Sequence, residues 1–207
     1  MSDFYRQYHL TFNQLLGALV ITDNAGNTIE HNEGFDRLCT LSASIKKSGA
    51  TQYFCGNGAS SAIASHMAID WSKNGKVSTR VFTDAALLSA VVNDLGAEHM
   101  YSAPLAYYAR PGDILVTISS SGNSENIIHV IHKARELGLD VITFSGLKPD
   151  NQSRGLGDLN FYIPAKTYGM VECAHQVLMH VWLDKYMGIN IWDRDEYQNM
   201  RQDHYQS

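Results

Sequence analysis

The chain has 207 residues, 44% hydrophobic and 18% charged, proportions of an ordinary globular protein that exclude a disordered or fibrous one. Its net charge of −5 comes with no sustained basic run, so non-specific nucleic-acid binding lacks electrostatic support, and an anionic small molecule requires a local cluster of donors. No stretch reaches the roughly 18 apolar residues of a membrane span.

In chain order, the first 48 residues read as two helices. Phe4, Tyr8, Phe12, Leu15, Leu16 and Leu19 recur at helical spacing, as do Phe35, Leu38, Leu41 and Ile45. Between them lies a turn-rich break, Asp23-Asn24-Ala25-Gly26-Asn27. A rival arrangement pairs 19–22 with 28–31 as a hairpin around that turn. From Thr51 the rhythm changes to short apolar runs, each followed by a longer amphipathic segment. These are 52–55 then 60–71, 78–83 then 85–92, 114–119 then 124–137, 141–145 alone, and 161–164 then 171–187. Such alternation predicts right-handed βαβ crossovers and a parallel sheet covered on both faces, with ligands at the carboxyl ends of the strands. One domain is expected over 1–188, followed by a polar extension over 189–207 that is either loosely packed or a strap on a neighbouring subunit.

The start, Met1-Ser2-Asp3-Phe4-Tyr5-Arg6, lacks the basic-then-apolar order of a secretory leader. Cys39, Cys55 and Cys173 form neither an even framework nor a Cys-x-x-Cys pair. Reduced, mostly buried thiols in a cytoplasmic protein are expected.

Two strand-to-helix turns carry the chemistry. In Cys55-Gly56-Asn57-Gly58-Ala59-Ser60-Ser61, glycine permits close backbone approach, and free amides at the helix start favour an anion. The plainer alternative is a connecting turn with Ser60 as the N-cap. In Ser119-Ser120-Ser121-Gly122-Asn123-Ser124, four hydroxyls, a glycine and a helix start converge. Hydroxyls and amides can hold a phosphate without arginine or lysine, and four serines exceed what capping needs. The helix after the first turn carries His66 and Asp70 on one face, and the last helix carries Glu172, Gln176 and His180 at i, i+4 and i+8. A carboxylate and a histidine on facing helices suit general acid–base work, and His66, Asp70, Glu172 and His180 would alternatively hold a metal ion. Each is otherwise a surface residue or a satisfied core group; His129 and His132, without such company, are read in that way, and His175 faces away from His180.

Gly56-Asn57-Gly58-x-Ser60, His66, Asn93-Asp94, Ser119-x-Ser121-Gly122-Asn123-Ser124 and a closing histidine-bearing helix together resemble the sugar isomerase (SIS) domain, and within it the phosphoheptose isomerases, over roughly residues 4–188. The resemblance implies a three-layer α/β/α, flavodoxin-like domain with a five-stranded parallel sheet, preceded by N-terminal helices. It also implies a homotetramer with active sites at subunit interfaces, and conversion of sedoheptulose 7-phosphate to D-glycero-D-manno-heptose 7-phosphate for lipopolysaccharide or capsule. Carried over position by position, Asn57, Gly58, Ser60, Asp94, Ser119, Ser120, Ser121 and Ser124 bind substrate, and His180 is catalytic. Some members hold zinc or another divalent metal, and His66, Asp70, Glu172 and His180 fill those positions, one ion per subunit with no organic cofactor.

This chain departs from the family's pattern in several places. The catalytic glutamate falls at Asp70, a glutamine falls at Glu172, a substrate-contacting arginine at Asn74, and an aspartate at Gly169. Tyr168-Gly169-x-Val171-Glu172-x-x-His175-Gln176 looks like a separate subgroup. For an aldose–ketose isomerase, Asp70 or Glu172 is the expected base and His180 the acid. The competing readings are a non-catalytic SIS scaffold or regulator, of the type that binds the initiator DnaA, and a phosphosugar binder with different chemistry. Retention of Asp70 and His180 favours the enzyme.

Overall fold

The computed structural model describes residues 3–190 and Trp192. It opens with helix α1 (Phe4–Gly17), strands β1 (Val20–Asp23) and β2 (Thr28–Ile29), and helix α2 (His31–Ser48). The N-terminal region thus combines both arrangements read from the sequence, two helices and a hairpin between them. The Asp23 carboxylate accepts the amides of Ala25 and Asn27, and Gly26 takes φ +82°, which closes a tight turn. Leu19 lies beyond α1 and is buried in the core.

The alternation that follows gives β3 (Gln52–Gly56), α3 (Ala59–Asp70), β4 (Thr79–Val81), α4 (Ala85–Leu95), α5 (Ser102–Tyr108), β5 (Ile114–Ser119), α6 (Glu125–Glu136), β6 (Asp140–Gly146), β7 (Leu159–Ile163) and α7 (Tyr168–Tyr186). All strands join one sheet of seven in the order β2-β1-β7-β6-β5-β3-β4. The expected five-stranded parallel sheet is present as β7-β6-β5-β3-β4, which runs to the β4 edge. It is widened by β1, antiparallel to both β7 and β2. Ile21 and Ile29 are buried by this addition, which also pairs the β7 edge that five strands would leave open.

Counted in chain order, the parallel strands lie 2-1-3-4-5, the flavodoxin-like order, and the direction of winding reverses between β3 and β5. Alternate side chains fill the two faces. Phe54, Val116, Ile118, Ile142 and Phe144 belong to the core shared with α2, α3 and α7; Tyr53, Cys55, Leu115 and Val141 belong to the core shared with α5 and α6. Trp71 and Trp182, fully buried with rings 4.8 Å apart, fasten the end of α3 to α7. Cys55 is buried and Cys39 half-buried, but Cys173 is exposed, a correction to the expected burial: α7 turns it toward Tyr8 of α1 rather than toward the sheet. Among the described residues no helix is long and apolar enough to cross a membrane. Beyond Asn190, all of the 189–207 extension except Trp192 lies outside the described residues.

Candidate active site

The two turns singled out in the sequence meet where the sheet reverses its winding. They follow β3 and β5, adjacent strands with Gly56 registered against Ile118. Asn57, Ser60, Ser119, Ser120, Ser121, Ser124, Tyr168 and Glu172, with Ile118, line one cavity of about 120 Å³. That volume suits a phosphoryl group and is well below the ~300 Å³ at which pockets begin to enclose larger ligands.

The serines there are not spent on capping. Gly58, at φ +54°, precedes α3 and Ser124 precedes α6, and neither helix start has a side-chain cap. Ser60 is therefore not the N-cap of the plainer reading; it is buried inside the first turn of α3. Ser120 Oγ is buried without a hydrogen-bond partner among the described residues. A buried hydroxyl left unpaired costs on the order of 1–3 kcal/mol, a cost that an anionic acceptor in this cavity would remove. Two uncapped helix starts add free amides and positive dipole ends, an anion cradle with no arginine or lysine in its lining.

Neighbouring residues hold the cradle in shape, and four of them, Asn151, Ser153, Asn126 and Tyr101, escaped the sequence reading. Gly122 stands at φ +62°, and its amide donates to the carbonyl and hydroxyl of Ser119. Asn151, buried in the loop after β6, donates to the carbonyls of Gly146 and Lys148 and accepts from the Arg154 amide and the Ser153 hydroxyl. Ser153 N in turn donates to Gly122 O at 2.9 Å. Asn57 is tied to Asn126 of α6 by two reciprocal amide bonds of 2.9 Å, and the Tyr101 hydroxyl donates to Gly56 O. Asn126 sits two residues beyond Ser124, a position the serine motif alone could have flagged.

His180, eight residues along α7 from Glu172 and so about 12 Å of helix away, meets the end of α3. The potential ligand atoms of His66, Asp70 and His180 all lie within 4.8 Å of one another. The His66 and His180 rings are 5.4 Å apart, and His66 Nε2 is 3.3 Å from Asp70 Oδ2. Asn74 Nδ2, at 3.5 Å, donates to the other Asp70 oxygen. Immediately after Asp70, α3 widens into a π-helical turn, Trp71–Gly75, a distortion frequent at functional sites. Asp184, one turn after His180, was missed despite its i, i+4 spacing. Burial raises its carboxyl pKa, nearby His180 lowers it and Asp70 raises it again.

The residues expected to form one constellation therefore fall into two. Glu172 shares a helix edge with His180, yet it lines the serine cavity and is not part of the His66–Asp70–His180 group. Asp94 is in neither: it is exposed on α4, where Asn93 donates to it at 2.7 Å. His175 is fully buried, its Nε2 3.1 Å from Ser145 O, and burial drives its pKa down to about 4. Two imidazoles and one carboxylate at the mouth of α3 form a donor set that fits zinc or a similar borderline divalent ion.

The profile of the SIS domain matches residues 21–146 of the chain. Phosphoheptose isomerase of Campylobacter concisus is 31% identical over 148 residues, 69% of this chain and 78% of that protein. The solved structure of phosphoheptose isomerase GmhA from Neisseria gonorrhoeae is 29% identical with a TM-score of 0.69, covering 74% of this chain and 86% of that one. A phosphoheptose isomerase structure from Francisella tularensis, at 21% identity and a TM-score of 0.77, shares the fold over 91% of this chain and 99% of its own.

Proposed function

The chain belongs to the SIS domain family, and from that membership we propose that it is an enzyme interconverting the aldose and ketose forms of a phosphosugar. The observation that carries this reading is the placement of a phosphate-sized serine cavity and an acid–base group on one helix, about 12 Å apart. That spacing is comparable with the length of an extended sugar phosphate. The substrate we assign is sedoheptulose 7-phosphate, converted to D-glycero-D-manno-heptose 7-phosphate for lipopolysaccharide or capsule. This assignment leans on relatives bearing the name phosphoheptose isomerase.

Isomerisation moves a proton between adjacent carbons through an enediol, and a second proton between their oxygens. In this reading Ser119, Ser120, Ser121, Ser124, Ser60 and the helix amides hold the phosphate, with Asn57 and Gly58 shaping the rim. Remote binding of this kind aligns the reacting carbons without entering the chemistry. Asp70, beside His180, takes the carbon-bound proton, and His180 relays the proton between oxygens. Asn74 and His66 orient the Asp70 carboxylate by the contacts described above. Glu172, at the phosphate end, accepts hydrogen bonds from sugar hydroxyls. His66, Asp70 and His180 are also the residues that would hold a divalent ion, zinc in this reading, whose contribution when bound is Lewis-acid polarisation of the carbonyl.

We further assign the protein to the cytoplasm as a homotetramer. The outer surface of α1 supports the assembly: the helix contributes no fully buried residue, and it exposes Phe4, Tyr5 and Leu10. The deciding experiment incubates the protein with pentulose, hexulose and heptulose phosphates, with and without added zinc, and follows aldose formation by NMR. Turnover of sedoheptulose 7-phosphate is expected. Clear binding with no turnover of any panel member would replace the enzyme by a non-catalytic phosphosugar-binding protein.

A further inference from the structure

Further along α6 from the serine cavity lies a second cavity, of about 280 Å³, lined by His99, Ser102, His129, His132, Lys133 and Glu136. It gathers three of the chain's nine histidines, none of which serves the phosphate cradle or the α3–α7 group. His129, His132, Lys133 and Glu136 fall at i, i+3, i+4 and i+7 and so form one stripe of α6. His99 comes from the 3₁₀ turn Ala97–His99, and Ser102 opens α5. The sequence reading left His129 and His132 without company, because their partner stands thirty residues earlier on another element.

The His99 and His129 rings are 5.4 Å apart and tilted by 57°, the same separation as the His66 and His180 rings. His99 Nδ1 lies 3.4 Å from the hydroxyl of buried Ser102, which leaves Nε2 as the ligating nitrogen. An outer partner on the second ring nitrogen is the usual support of a metal-bound imidazole. Glu136 is ion-paired with Lys133, whose ammonium occupies its carboxylate. The cavity therefore offers imidazole nitrogen rather than free carboxylate oxygen, a donor set that favours copper(II), nickel and zinc over magnesium or calcium.

We propose that His99 and His129 form a second metal site for a borderline divalent transition ion, with solvent completing the shell. The test uses the full chain with His66→Ala and His180→Ala, which removes the other imidazole pair. It is titrated with copper(II), nickel(II) and magnesium near neutral pH by equilibrium dialysis, and bound copper is examined by electron paramagnetic resonance. One equivalent of copper showing imidazole nitrogen coupling is expected, with nickel weaker and magnesium unbound. Adding His129→Ala or His99→Ala, with an unchanged circular dichroism spectrum, should abolish that equivalent. Ser102→Ala should weaken it on the order of tenfold. Absence of saturable copper binding, or binding that survives both histidine substitutions, overturns the proposal.

Discussion

Replacing Gly122 by alanine tests how the serine turn is held. At φ +62° an L-residue pays roughly 1–2 kcal/mol relative to glycine. The added Cβ would also stand 2.0 Å from Asn151 Oδ1 and 2.8 Å from Ser153 Oγ. Asn151 cannot swing aside freely: it is 4% exposed and bound on both ends of its amide, to Gly146, Lys148, Ser153 and Arg154. Relieving such an overlap typically costs a further ~1–3 kcal/mol. Together these give a destabilisation of roughly 2–5 kcal/mol. At about 2–4 °C per kcal/mol, Tm should fall by roughly 4–20 °C. Thermal and urea unfolding measure that loss, and calorimetric titration with a phosphosugar should show weakened binding in the surviving fold. Asn151→Ala placed on the Gly122→Ala background should restore part of the stability, a coupling expected only if the two side chains collide. A Gly122→Ala protein with wild-type Tm and affinity would refute the reasoning.

Ser120→Ala should leave the unfolding midpoint unchanged or slightly raised, because its hydroxyl has no partner among the described residues, while phosphosugar affinity falls about fivefold for one lost hydrogen bond of ~1 kcal/mol. Unchanged affinity would remove that hydroxyl from the cradle. His180→Ala should lower turnover on the order of 10²-fold or more with phosphosugar binding largely kept, and equal loss of both would argue against the division between phosphate end and reacting end. Glu172→Gln should tighten inorganic phosphate several-fold by removing a negative charge from the anion cavity, and weaker binding would show that the carboxylate acts there through a cation instead. His175→Gln should flatten the acid limb of stability. Burial holds this imidazole at about 4 against 6.5 when free, so its contribution is complete above pH 6.5 and is lost as pH falls toward 4. The loss amounts to roughly 3 kcal/mol at about 1.4 kcal/mol per pH unit, and urea titrations across that window should show a shallower slope in the variant.

The features legible in the sequence were local ones. The serine turn is six consecutive residues between a strand and a helix, so its excess of hydroxyls over what capping needs could be read without anything from elsewhere in the chain. The five parallel strands announced themselves because each is a short apolar run and all but β6 lead into an α-helix. β2, only two residues long, is too short to show a period of its own, so the hairpin stayed an alternative to the helices that flank it. Helical spacing placed Glu172 and His180 on one edge correctly, but a period reports angle and not rise, so it grouped two residues that work about 12 Å apart. The His99–His129 pair was invisible for the opposite reason: its members stand thirty residues apart, and only the folded chain brings them together, as it brings Asn151 against Gly122.

The widened sheet also governs how copies of this chain can meet. One margin is β2, two residues long; the other is β4, three residues long, where Arg80 lies over the Tyr108 ring at 4.3 Å. Brevity and a charged side chain both blunt a margin against growth by backbone pairing. Assembly by sheet extension is thereby discouraged at either end, and association falls to the helical layers. The strands that carry the two turns, β3 and β5, lie inside the sheet, separated from its margins by β4 on one side and by β6, β7, β1 and β2 on the other.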